Sequence, residues 1–371
     1  MFPSRAPDFQ VTLPPPVSFV VKASPFCYYP SMKRLPSLLP VYLVLSCLLS
    51  LLSAQPSSRP KIVVTGITAD QVNELRQSIA EAEIVAATRE ELLSRVADAD
   101  GLIGSCSADA IRAGKKLRWV QTLSAGVEGC RSPELVNSPI VLTNAKIIMG
   151  PEIADHALAL LLSLTRGLNT AMLSKPKAEW RRQGYQPIEL RGKTALIIGV
   201  GGIGTQIAER ASAFGMRVLG VDPKDIPLLN SVEKTYPPDQ LREVLPEADV
   251  VFMAAPHTTE SQGMMGTREF ALMKRGAYFV NVSRGKTVDT PALVQALASH
   301  QLAGAGLDVT DPEPLPSDHP LWKLDNVVIT PHIAGQSDQL DTRRMELFKN
   351  NIRRLAKGLP LLNAVDKQKG Y

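Results

Sequence analysis

Thr194-Ala-Leu-Ile-Ile-Gly199-Val-Gly201-Gly202-Ile203-Gly204 is an apolar run that breaks into glycines, and residues 204–214 then take up helical spacing. A second apolar run, 217–221, ends at Asp222, 18 residues beyond Gly204. Glycines alone mark a turn as readily as a site. Here strand, glycine turn, helix and terminal acid come in the order of a dinucleotide-binding βαβ unit. The first glycine permits the tight turn, the second lets backbone approach a pyrophosphate, and the third lets the helix pack on the strand. The helix N-terminus adds N–H donors and a positive dipole. Asp222 suits hydrogen bonds from both ribose hydroxyls and repels a 2′-phosphate, which favours NAD over NADP. Lys224 softens that repulsion, or is simply a solvated loop lysine.

The same alternation fills the chain upstream. Strands are predicted at 61–66, 83–87 and 101–105, with helices at 70–80 and 89–97 between them. Strands separated by helices imply a parallel sheet with right-handed crossovers, so two α/β units share the chain. Between them 151–166 predicts a long, apolar connecting helix with proline at its start, and 339–357 predicts a final helix with basic residues in its last turns.

The 371 residues are 44% hydrophobic and 21% charged, the profile of a globular chain long enough for two domains. The net charge is +5, but residues 1–60 hold five basic residues and one acidic one, leaving 36 basic against 35 acidic residues in the body. No basic face for nucleic acid is implied. Met32-Lys33-Arg34 precedes an uncharged apolar run, 35–54, that ends in Ser53-Ala54. This is a secretory signal layout, or an uncleaved membrane anchor, or an unused extension ahead of the true fold. The chain is therefore expected to be exported or membrane-anchored if the leader is used, and cytoplasmic otherwise. Of four cysteines, Cys27 and Cys47 fall in the leader; Cys106 and Cys130 lie apart in the body, where neither a disulfide framework nor a metal site is readable.

Further motifs carry a family likeness: Ser124-Ala-Gly-Val-Glu128, Gly150-Pro-Glu-Ile-Ala-Asp-His156, Asn281-Val-Ser-Arg-Gly285, Gly306-Leu-Asp-Val309 with Glu313-Pro314, and Thr330-Pro-His-Ile-Ala-Gly335. With the glycine loop, these make residues 61–371 resemble the D-isomer-specific 2-hydroxyacid dehydrogenases, among them glyoxylate/hydroxypyruvate reductases and phosphoglycerate dehydrogenases. Glu128 and Asp155 stand where that family more usually has Asp and Glu. The resemblance implies two Rossmann-like or flavodoxin-like parallel-sheet domains around an active-site cleft. Residues 61–149 with 337–371 would bind substrate, 150–336 would bind NAD, and the protein would be a homodimer.

Reducing a 2-oxo acid needs a cation for the carboxylate, a proton donor for the carbonyl oxygen and a hydride donor. Arg284 follows a predicted strand at 277–282, where open α/β sheets place ligands, and its planar fork can take a carboxylate in two bonds. His332 follows the strand 327–330 and can exchange a proton near neutral pH. Glu313 would orient the imidazole and favour its charged form; only the resemblance selects it over Asp311. By that resemblance alone, Ala125, Gly126 and Val127 meet the substrate with their backbone. Asp308 meets the nicotinamide carboxamide, and Pro256, Ser261, Val282, Ser283 and Gly335 line the cofactor. His156 and His257 have no carboxylate at a recognisable position, and Trp180 and Trp322 read as packing residues. Two other readings remain: a non-catalytic NAD-sensing protein on the same scaffold, and a formate- or phosphite-type dehydrogenase.

Overall fold

The computed structural model describes residues 59–371 apart from 225 and 227–229; the leader at 32–54 lies outside them. The first alternation runs β1 (Lys61–Val64), α1 (Ala69–Ser78), β2 (Glu83–Ala86), α2 (Leu92–Val96), β3 (Gly101–Ile103), α3 (Ala108–Ala113), β4 (Trp119–Gln121), α4 (Pro133–Val136) and β5 (Val141–Thr143). α1 starts where it does because Thr68 and Gln71 form a reciprocal capping box that satisfies two otherwise unpaired N–H groups. The helix predicted over 89–97 is shorter, since the side chains of Thr88 and Glu91 bond each other's backbone N–H and hold 88–91 as a turn.

Next come α5 (Gly150–Thr165), α6 (Leu168–Ser174), β6 (Thr194–Ile198), α7 (Gly202–Ala213), β7 (Arg217–Val221), β8 (Lys234–Tyr236), α8 (Leu241–Val244) and β9 (Val250–Met253). The chain finishes with α9 (Thr267–Leu272), β10 (Ala277–Asn281), α10 (Thr290–Ala298), β11 (Leu302–Leu307), β12 (Val327–Ile329) and α11 (Leu340–Ala356).

The strands form two wholly parallel sheets, ordered β2-β1-β3-β4-β5 and β12-β11-β10-β9-β6-β7-β8. β6, β9 and β10 are buried along their whole length, because helices cover both faces. α5 buries Ile153, Ala157, Leu158 and Leu161 in the core of the second sheet beside Ile197, Ile207 and Phe252. α11 instead returns to the first sheet, where Met345, Phe348, Ile352 and Leu355 pack with Ile62, Leu75 and Trp119. The order reverses between β6 and β9, so the carboxyl ends of the central strands open a crevice.

Sequence expectations also fail at the body cysteines and at Trp180. Cys106 and Cys130 form a disulfide with Cα atoms 5.2 Å apart. The reason is topological: β3 and β4 are parallel neighbours, so the loops that leave their carboxyl ends lie side by side and bring together cysteines 24 residues apart. Trp180 is not a packing residue in this chain, being 90% exposed beyond an α6 that also exposes Leu168, Met172 and Leu173.

Candidate active site

At the end of β6 the chain turns through Gly199 at φ +91°, where a Cβ would press on the backbone of Ala255. Only glycine meets both demands. α7 opens at Gly202, two residues before the predicted start, and nothing lies within 4 Å of where a Gly201 side chain would stand. Backbone can therefore be approached there, with Ile203 and Gly204 in the first turn. Asp222 Oδ2 accepts from Val200 N at 2.9 Å and Oδ1 from Lys224 N at 2.9 Å, which fixes the carboxylate beside the cradle.

After β9, Pro256 is exposed, but its carbonyl accepts the buried Ser261 hydroxyl at 2.7 Å. Ser261 also accepts from Thr258 N at 2.8 Å, so its side chain closes the turn. Val282 and Ser283 are buried behind the loop that leaves β10, Ser283 Oγ bonding to Asn281.

That loop delivers Arg284. Its carbonyl accepts from Asn281 Nδ2 at 3.1 Å and Thr287 Oγ1 at 2.7 Å, and its guanidinium reaches to the first sheet's loop, where Nε meets Glu128 Oε1 at 2.8 Å. The fork lies against Gly126, where a Cβ would overlap the guanidinium. The 124–127 loop is itself held from below. Asn144 Nδ2 donates to Ala125 O at 2.6 Å, Ser124 Oγ to Gly126 O at 2.8 Å, and Val127 is buried. Arg284 and Glu128 are each about a third to two-fifths exposed, so the pair is open to exchange with an incoming carboxylate.

β11 and β12, the next parallel strands, present Asp308 and His332 at the same edge. His332 Nδ1 lies 2.6 Å from Glu313 Oε1. The histidine backbone sits at φ +55°, a conformation that costs about 1–3 kcal/mol unless its surroundings impose it. Asp308 imposes it. Its carbonyl accepts His332 N at 2.8 Å, while its buried carboxylate accepts Ile333 N at 2.9 Å, Ala334 N at 3.0 Å and Thr330 Oγ1 at 2.7 Å. Gly335 continues the loop against Met149, just ahead of α5.

His156 does have a carboxylate. From α5 its Nε2 meets Thr330 Oγ1 at 2.8 Å and lies 3.5 Å from Asp308 Oδ1. Its place in the 150–156 motif was the available signal, but the partner is 152 residues away in sequence. Among the described residues His257 Nε2 is buried without a hydrogen-bond partner, and His257 lines a cavity together with Glu128 and Arg131. Glu128 and Asn144 were likewise not singled out as acting on the site.

Residues 158–334 match the family model described as D-isomer specific 2-hydroxyacid dehydrogenase, NAD binding domain. The chain is 35% identical over 292 residues to a glyoxylate reductase of Korarchaeum cryptofilum, covering 76% of this chain and 87% of the relative. It is 32% identical over 314 residues to a D-3-phosphoglycerate dehydrogenase of Methanocaldococcus jannaschii; this covers 82% of this chain but spans only 59% of that relative's length. Among solved structures, a D-isomer specific 2-hydroxyacid dehydrogenase from Xanthobacter autotrophicus Py2, in complex with NADPH and MES, aligns with a TM-score of 0.74. That structure is 25% identical and covers 85% of this chain and 100% of its own.

Proposed function

The chain belongs to the D-isomer specific 2-hydroxyacid dehydrogenase family, and from that premise we propose that it transfers a hydride between NAD(H) and C2 of a small 2-oxo or D-2-hydroxy acid. The observation that carries this reading is the convergence at one sheet edge of a dinucleotide cradle, the Arg284 fork and the His332–Glu313 pair. The residues fit a dinucleotide: the open start of α7 at Gly201 would hold its diphosphate and the fixed Asp222 carboxylate would hold its ribose. Reduced nicotinamide supplies the hydride when bound.

The chain's own residues do the rest. Arg284 exchanges Glu128 for the substrate carboxylate, while backbone of Ala125, Gly126 and Val127 fixes the acid's orientation. His332, held through Nδ1 by Glu313, gives the Nε2 proton to the carbonyl oxygen as negative charge develops there, and takes it back in the oxidative direction. Asp308 holds the loop that aims the imidazole. Its carboxylate retains lone-pair capacity for the nicotinamide amide. Asp222 supports a preference for NAD(H). Residues 61–149 with 337–371 and 150–336 act as the two jaws of the cleft, whose closure excludes water from the hydride path. Two copies associate, as the family likeness implies, and the exposed apolar side chains of Leu168, Met172, Leu173 and Trp180 are the surface assigned to that contact.

The test is loss of NADH absorbance with glyoxylate, hydroxypyruvate, pyruvate and phenylpyruvate, beside His332→Ala. Turnover that His332→Ala cuts by at least 100-fold supports the reductase. NADH binding with no turnover on any oxo acid replaces it with the sensor reading. Sedimentation of the wild type at twice the monomer mass, and of Trp180→Ser/Met172→Ser nearer the monomer mass, tests the dimer.

A further inference from the structure

Glu128 stands where an incoming acid has to bind. Its Oε1 accepts from Arg284 Nε at 2.8 Å, whereas Oε2 meets Arg284 Nη2 only at 3.5 Å. A Cβ on Gly126 would lie 2.5 Å from Oε2 and overlap the guanidinium, so carboxylate and fork both lie against Gly126. An acid that takes Arg284 and the backbone of that loop therefore moves Glu128. Left beside the newcomer, Glu128 would set two like charges side by side.

A receiver lies one turn further along the chain. Glu128–Cys130 forms a single 3-10 turn, closed by Cys130 N to Val127 O at 2.9 Å and capped by Arg131. At three residues per turn, side chains 128 and 131 eclipse on one side. Both line a cavity of about 500 Å³, together with Asn137, His257 and Gln262. Arg131 Nη2 donates to Gln368 O at 2.7 Å, which fixes the side chain and leaves the other N–H groups of its fork to the cavity. Among the described residues no acid lies within salt-bridge distance of Arg131; Glu260 feels its charge from further off. His257 adds a second donor. Its Nε2 is sealed without a partner, so Nδ1 is the ring nitrogen open to the cavity. A sealed N–H without an acceptor is costly, which places the imidazole proton on Nδ1.

We propose that Arg131 and His257 receive the Glu128 carboxylate when the substrate's carboxylate replaces it on Arg284, which makes them positioning residues that set the affinity for the oxo acid. This rests on the reductase reading above and adds the destination of the displaced acid. Without substrate, Glu128 keeps the fork in place; with substrate, its charge passes to Arg131.

The full chain is assayed for KM of glyoxylate and pyruvate at saturating NADH, with NADH affinity followed by nicotinamide fluorescence. Arg131→Met is expected to raise KM about fivefold, the upper range for a partly exposed ion pair, with kcat and NADH affinity within about twofold of wild type. Arg131→Lys keeps the charge and stays near the wild-type KM. His257→Phe raises KM about threefold without lowering Tm, because it also removes the unpartnered Nε2. In a Glu128→Gln background, where no charge needs receiving, Arg131→Met changes KM less than twofold. Crystals of the wild type with NADH and oxamate, a non-reacting mimic of a 2-oxo acid, are expected to show Glu128 within about 4 Å of Arg131. An unchanged KM in Arg131→Met overturns the proposal. So does the same fivefold rise in both backgrounds, which would have Arg131 act independently of Glu128, and so does a Glu128 still bonded to Arg284 beside bound oxamate. A wild-type chain that turns over no oxo acid removes the reductase reading itself, a distinct result.

Discussion

Replacing Asp308 by Asn is nearly isosteric, yet it withdraws one of two acceptor oxygens from a site that uses both. Oδ1 takes Thr330 Oγ1 and Ile333 N, and Oδ2 takes Ala334 N. Whichever way the amide turns, its NH2 faces at least one backbone donor that has nowhere else to go. A buried donor left without its acceptor costs about 1–3 kcal/mol, and the other contacts fall from charge-assisted to neutral strength. The total, about 2–4 kcal/mol, is at least as large as the cost of about 1–3 kcal/mol of holding His332 at φ +55°. The loop then relaxes, the imidazole leaves its aim, and kcat falls by about 100-fold, the size of effect that a 1 Å misplacement produces. Nicotinamide fluorescence should show NADH affinity falling far less. Thermal unfolding should show Tm lower by several degrees. If Asp308→Asn instead weakens NADH binding by more than tenfold while kcat at saturating NADH and Tm stay as in the wild type, the residue serves the cofactor alone and the loop-holding account is wrong.

Gly126→Ala puts a methyl where the Arg284 fork lies, so KM for the oxo acid should rise at least tenfold while NADH affinity changes less than twofold; equal KM values would show that the fork does not rest there during turnover. The Cys106–Cys130 bond closes a loop of about 25 residues, for which the chain-entropy account gives about 3.5 kcal/mol; Cys106→Ser/Cys130→Ser should lower the denaturation free energy by about 2–4 kcal/mol in urea titrations, and an unchanged midpoint would refute the link. Burial pushes the Glu269 carboxyl up, but the Arg242 guanidinium and the N–H groups of Glu269 and Gly266 outweigh it and hold the group below its usual value of 4.5. A depressed folded value means that this stabilisation is present above the usual value and is lost as pH falls through the folded one. The Tm gap between wild type and Glu269→Gln should accordingly be open at pH 7 and narrow below about pH 4; a gap that stays constant across that range contradicts the pairing.

The two α/β units, with strands β1 to β3, β6, β7, β10 and β12, could be read in advance because each βα step is local, apolar runs such as Ala277–Asn281 acting within a few residues of themselves, whereas short strands such as β4, β5 and β8 carry too little pattern of their own. The glycine cradle is local too, and Arg284 and His332 stand out because each follows a buried strand. What escaped is set by strand order, which no short window contains. β3 beside β4 makes a disulfide of two cysteines whose spacing alone shows no pairing. β11 beside β12 turns Asp308 toward Thr330, Ile333 and Ala334, giving it a structural task besides the cofactor contact that the resemblance implies. α5 against β11 and β12 then adds His156 to the same network. Arg284 shows the two levels in one side chain: its position after β10 is visible in the sequence, whereas its engagement with Glu128 depends on a loop of the other sheet, 156 residues away. Chemistry therefore sits on locally encoded strand ends, while the contacts that aim it are long-range, so substitutions at Asp308 and Gly126 probe what the motifs alone do not specify.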